Sequence, residues 1–180
     1  CTNGKEYFVT SGNNMTMEPY RAYVAQDPNN EFAPPLAMQA IEAYDKGGFA
    51  NLVLEGKRDF VERYNLGTAY WQGRDPADYE AVTSALNKSL KDVASYYHAT
   101  AQASKKPVDY SEAARWYRTY LQSFPKDAAA ASTNLLLAET LFESGDLVSA
   151  ATEFERTAYD YPKNDKSAAA AYSALVSYQR

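Results

Sequence analysis

The sequence predicts an all-α chain built as a solenoid of helix-turn-helix units, and three observations predict it. Residues 109–127 (DYSEAARWYRTYLQSFPKD) and 146–164 (DLVSAATEFERTAYDYPKN) align without a gap. Asp109 matches Asp146, Ala113-Ala114 matches Ala150-Ala151, Tyr117 matches Phe154, and Phe124-Pro125-Lys126 matches Tyr161-Pro162-Lys163. Within the first copy, Ala113, Tyr117, Tyr120, Leu121 and Phe124 recur at steps of three and four, which puts one apolar stripe on one helix face. Between stripes stand residues that end helices: Pro125 and Pro162 cannot continue one, and Gly145 suits the left-handed position beyond a C-terminus. Two helices this short cannot bury their stripes alone. Stacked neighbours can, so such units come in arrays.

The elements follow in chain order. Residues 1–17 hold Gly4, Gly12, Asn13 and Asn14 around Tyr7-Phe8-Val9 and are read as an irregular segment, extended or with a short strand. Residues 18–65 read as degenerate copies of the same plan. Tyr20 to Ala25, stopped by Asp27-Pro28, resembles a closing second helix. Pro34 to Lys46, with Leu36, Ala40, Ile41 and Tyr44, is followed by Gly47-Gly48-Phe49. A second helix, Ala50 to Tyr64, carries Leu52, Val53, Phe60 and Val61. Residues 66–78 interrupt the array as a connecting insertion, in which Trp71 is expected to plug the segment onto the helices.

Residues 79–180 carry the better repeats. Asp75-Pro76-Ala77-Asp78 is a strong helix start, with a capping Asp and Pro at the first helical position. The helix it opens, with Val82, Leu86, Leu90, Val93 and Tyr97 on one face, runs to about Ala103. Asp109, with Glu112 three residues on, suits an N-cap with a reciprocal acidic partner. Ala128 to Glu143 forms the next helix, with Leu135, Ala138, Leu141 and Phe142 on its face. Lys166 to Gln179, with Ala171, Ala174, Leu175 and Tyr178, reads as the first helix of an incomplete last repeat. The chain begins at Cys1 and stops inside that helix, so a piece of a longer protein is expected.

These residues resemble the tetratricopeptide repeat, most specifically over 131–164. Ala138 stands where the family has a small residue, Leu141 where it has a large apolar one, and Gly145-Asp146-Leu147 at its turn. Ala150, Phe154 and Pro162 match the small, aromatic and proline positions of its second helix. Asn134 departs from the pattern, standing where the family has a large apolar residue, which predicts weaker packing to the preceding repeat. The resemblance implies a right-handed superhelix, no catalytic role and no cofactor. It also implies a concave groove, lined by first helices, that binds another protein or peptide. Carried over residue by residue, the groove positions are Ser132, Leu135, Glu139, Phe142 and Glu143, and in the upstream repeat Met38 and Glu42 with Asp45 and Lys46. Leu135 and Phe142 fit either an apolar grip on a partner or a place in the core, while Glu139 and Glu143 suit a basic group. Repeats ending in aromatic-Pro-Lys resemble those of bacterial envelope proteins, including outer-membrane assembly lipoproteins and cell-division coordinators. A periplasmic or outer-membrane location follows as an implication. Cys1 is open to two readings, a lipid-bearing residue or an accident of where the sequence was cut.

Composition narrows the remaining classes. With 46% hydrophobic and 23% charged residues the chain is in the globular range. A net charge of −5 with scattered Lys and Arg leaves no basic footprint for nucleic acid. No apolar run reaches the roughly 20 residues of a membrane span. One Cys rules out a multi-cysteine metal site, Cys1 and His98 are the one Cys and one His available to a nucleophile-base pair, and Gly47-Gly48 lacks the continuation of a phosphate loop. His98, after Tyr96-Tyr97, reads either as an ordinary helix histidine or as a groove residue with Tyr96. The 16 Tyr, 7 Phe and 2 Trp leave a second reading open, a module contacting a glycan such as peptidoglycan or exported polysaccharide through Trp71 and Tyr96-Tyr97.

Overall fold

The computed structural model describes Tyr23, Gln26, Asp27 and residues 29–180. Cys1, the Tyr7-Phe8-Val9 segment and, apart from Tyr23, the expected Tyr20–Ala25 helix lie outside the described residues. Among those described there are seven α-helices, two short 3-10 turns and no strand. The helices are α1 (Ala33–Lys46), α2 (Ala50–Tyr64), α3 (Glu80–Ser104), α4 (Pro107–Ser123), α5 (Ala130–Ser144), α6 (Leu147–Tyr159) and α7 (Ser167–Gln179). None of them is long and apolar enough to cross a membrane. The chain divides into two compact units, up to Ala85 and from Leu86 onward, with the boundary inside α3.

In the first unit α1 packs on α2, bringing Ala33, Ala37, Ala40 and Tyr44 together with Phe60, Val61 and Tyr64 as core. Gly56, inside α2, marks their close approach: a Cβ there would lie 2.9 Å from the Ile41 side chain. The predicted insertion folds as Ala69–Trp71 and Pro76–Tyr79. Trp71 is buried, as expected of a plug. Its indole N–H donates to the Tyr64 carbonyl at 2.8 Å, and its ring meets Tyr70 and Tyr79 edge to face. The Arg74 guanidinium lies over the Tyr70 ring at 4.4 Å and donates to the Asn29 carbonyl.

In the second unit each helix packs on the next, α4 on α5, α5 on α6 and α6 on α7. Alanines do much of the joining. Ala113, Ala138, Ala150, Ala151 and Ala170 have no exposed surface, and side chains that small let helix backbones approach closely. Larger rings fill the α3–α4 seam, where Tyr97 stacks on the buried Trp116 at 5.9 Å. Proline and glycine punctuate as predicted: α4 ends just before Phe124-Pro125, and Gly145 beyond α5 takes φ +87°. That conformation is strained for any residue with a Cβ.

Four expectations need correction. Asp109 is not a cap, because α4 begins at Pro107 and places Asp109 in its first turn. Lys105, at φ +58°, turns the chain sharply out of α3, so Pro107 takes the helix start and Asp109 instead accepts the Ser104 hydroxyl. Asn134 does not weaken packing. It is fully buried and donates to the Glu153 carbonyl at 2.8 Å and the Thr157 hydroxyl at 3.0 Å, tying α5 to α6. The inner face of α5 runs through Thr133, Leu137, Ala138 and Leu141, with Leu135 only half-buried. In α7 the small residues Ser167, Ala170, Ala174 and Ser177 face inward, while Leu175 and Tyr178 stand 61% and 59% exposed.

Candidate partner-binding groove

A cavity of about 390 Å³ lies between α5 and α7, entirely within the second unit. Glu139, Phe142 and Glu143 project into it from α5 at spacings of three and four, one face of a helix. Tyr172, Ser173 and Val176 face them from α7, and Phe154 of α6 closes the floor. Phe142 meets Phe154 at 6.3 Å, ring edge to face. The walls are therefore aromatic and aliphatic, and the polar groups of the lining side chains are two carboxylates and the hydroxyls of Ser173 and Tyr172.

α3 supports one carboxylate from behind. Gln102 Nε2 donates to Glu143 Oε1 and Oε2 at 3.1 and 3.3 Å. His98, only 8% exposed, shares a 3.0 Å hydrogen bond between Nδ1 and the Tyr117 hydroxyl. Burial, helped by the charge of Glu139, pushes that hydroxyl up to about 12, so it stays protonated. The other ring nitrogen, Nε2, makes no hydrogen bond and lies 3.7 Å from Glu143 Oε2. Glu139 sits deeper among the rings. Desolvation raises its pKa above the ordinary value, the Glu143 charge adds to the rise, and His98 and Lys166 oppose it. Among the described residues Glu139 makes no hydrogen bond or ion pair.

Of the residues singled out by sequence, Glu139, Phe142 and Glu143 come together with His98 behind them. Ser132 is exposed in the first turn of α5, its hydroxyl bonded back to the Ala129 carbonyl. Leu135 is half-buried away from the cavity lining, and Tyr96 is half-exposed against the edge of Tyr97. Met38 and Glu42 belong to the first unit. Met38 is half-buried in α1, and Glu42 is exposed and paired with Lys46 at 2.6 Å.

Tyr172, Ser173, Val176, Phe154 and Gln102 were not foreseen as lining or supporting residues. A signal existed for two of them. Ser173 and Val176 stand one tetratricopeptide repeat length, about 34 residues, beyond Glu139 and Phe142. Among the described residues no three metal-ligating side chains converge. No family model matches the chain, and no curated protein matches it.

Proposed function

We propose that the chain is a right-handed tetratricopeptide-like solenoid that acts as a non-enzymatic scaffold, holding a segment of a partner protein in the groove of its first helices. The setting we favour is a bacterial envelope assembly, in the periplasm or at the outer membrane. One observation supports the reading: three of the five α5 side chains that the resemblance assigns to the groove line one cavity, and α7 supplies its facing wall. Ligand sites between packed helices commonly combine such apolar walls with a few placed polar groups. The glycan reading has less support. Trp71 is 7% exposed and its indole N–H is already bonded, and Tyr97 is stacked on Trp116, which leaves Tyr96, 50% exposed, as the one open ring of the three.

Site-specific photo-crosslinking in the source cells tests the reading. A crosslinking residue at Ser173 in the groove is compared with one at Thr152, exposed on α6. The expected result is a discrete protein adduct from Ser173 and none from Thr152. No adduct from Ser173, or the same adducts from both positions, overturns the proposal.

A further inference from the structure

The cavity between α5 and α7 is more specific than a generic groove. Resting on the reading of a protein-binding groove, we infer that it is a socket for a single arginine side chain of the partner, the guanidinium lying between Glu139 and Glu143 and flat against the Phe142 and Tyr172 rings.

Charge sets the sign of the occupant. Glu139 and Glu143 are one helical turn apart on the same face, where like charges repel. Glu139 carries its charge half-withdrawn from water with no cation bonded to it. A carboxylate held this way is destabilised until a counter-charge arrives.

A second observation points to the same place. His98 is more than nine-tenths buried, and its Nε2 makes no hydrogen bond while aiming at Glu143. The two Gln102 bonds hold the Glu143 carboxylate from the α3 side, and its side chain is still 35% exposed. Preorganised acceptors of this sort favour an incoming donor because little ordering remains to be done on binding.

Shape selects arginine. The volume, about 390 Å³, is near the small end of ligand pockets, roughly 300–1,000 Å³, and suits one long side chain rather than a docked helix. The rings of Phe142, Phe154 and Tyr172 offer flat faces, on which a weakly hydrated planar guanidinium stacks better than a compact ammonium. The molecule itself displays the contact: its own Arg180 guanidinium lies over the Phe142 ring, 5.1 Å from the ring centre, and a partner arginine takes its place there. Two carboxylates then offer oxygens to a donor fork that has five N–H groups.

The test titrates the full chain with three acetylated, amidated tripeptides, Gly-Arg-Gly, Gly-Lys-Gly and Gly-citrulline-Gly, and with chitotetraose. The Val176 methyl and Phe142 ring resonances are followed by NMR. The arginine peptide should give saturable shifts at both. The lysine peptide should bind at least about 3-fold more weakly. The neutral citrulline peptide should bind at least about 10-fold more weakly, the loss expected when roughly 1.4 kcal/mol of charge-assisted bonding disappears. Glu139→Gln and Glu143→Gln should each weaken arginine binding about 5- to 10-fold with melting temperatures within a few degrees of the parent. Equal binding of the arginine and citrulline peptides overturns the inference, as do shifts at these resonances with chitotetraose and none with arginine. The two proposals fail separately. If Ser173 still crosslinks a partner in the Glu139→Gln/Glu143→Gln double variant as strongly as in the parent, the arginine socket falls and the groove stands. If Ser173 crosslinks nothing, the groove reading falls.

Discussion

The pairs α1–α2 and α5–α6 follow one plan, a helix, a turn with a left-handed glycine, and a second helix, yet they treat a glutamate at the same register position in opposite ways. Glu42 on α1 and Glu139 on α5 both stand six residues before that glycine, Gly48 in one and Gly145 in the other. Glu42 is exposed and bonded to Lys46 one turn later, which pulls its pKa below the ordinary value through the hydrogen bond and then the charge. Glu139 is half-buried, desolvation drives its pKa up, and the residue one turn later is Glu143. The helix plan fixes where a side chain sits on the groove face. The neighbour four residues on decides whether its charge is answered within the helix or left without a cation bonded to it.

The largest expected effects separate the two units. Trp116 is almost fully buried, stacked on Tyr97, and donates its N–H to Glu112 at 2.9 Å. Trp116→Ala should destabilise the second unit by about 3–5 kcal/mol and remove arginine-peptide binding, with the loss read by thermal and urea unfolding. Trp71→Ala removes a ring that is 7% exposed from the first unit and should cost a similar amount there. It should leave the arginine peptide bound, because every lining residue lies beyond Leu86. Loss of peptide binding in Trp71→Ala would show that the two units do not work separately.

Exchanging the neighbour charge comes next. Glu143→Lys recreates in α5 the arrangement of Glu42 and Lys46, with Glu N-terminal to Lys, the better orientation for such a pair. The Lys should occupy Glu139 and repel a cationic ligand, lowering affinity for the arginine peptide about 100-fold, while stability moves by no more than about 0.5 kcal/mol. The reverse change, Lys46→Glu, makes an acidic pair on an exposed surface and should create no arginine site. Appreciable affinity gained by Lys46→Glu would mean that acidity alone, without the ring-lined cavity, is enough. Calorimetric titration of both variants reads the pair.

The turns give a smaller and more even effect. Gly48 and Gly145 have φ of +75° and +87°, and neither has an atom within 4 Å of where a Cβ would stand. Alanine at either position therefore meets backbone strain and no clash, and each should lose about 1–2 kcal/mol. A much larger loss at Gly145 alone would show that the second pair depends on its turn in a way the first does not.

Much of this architecture was legible because its signals are local. Pro125, Pro162 and Gly145 act through the backbone of their own turn, so the helix ends could be read directly. Asp75 also behaves as read, accepting the Ala77 N–H at the start of its 3-10 turn. Asp109 misled because the conformation of Lys105, four residues before the aligned copy, moved the helix start. Asn134 misled because a polar side chain in a helix seam is costly only if unbonded, and its partners, Glu153 and Thr157, come from another helix. The face of α7 misled because Leu175 and Tyr178 look like core by type, whereas close approach to α6 selects the alanines and serines. At the cavity, Glu139, Phe142 and Glu143 were among the α5 positions named from the sequence, whereas Ser132 and Leu135 do not line it. The α7 half was one repeat further on, in a segment whose register had not been carried forward.

The smallest effect bears most directly on what the site costs the fold. A folded-state pKa raised above the unfolded one means that the native protein holds the Glu139 proton more tightly than the unfolded chain does. The stability this provides is complete below the ordinary value of 4.5 and is lost as pH rises through the elevated value. At neutral pH the charged form is therefore slightly unfavourable, and Glu139→Gln should stabilise the protein, by no more than about 0.5 kcal/mol because the carboxylate is half-exposed and screened. The gain should shrink as pH falls and vanish below about 4.5. Glu42→Gln should do the opposite, removing a favourable pair above the lowered pKa and changing nothing below it. Urea unfolding of both variants from pH 4 to pH 7 reads the two slopes. Slopes of the same sign would mean that the α5 carboxylate is not held at the expense of stability. Opposite slopes are what a binding residue kept against the interest of the fold requires.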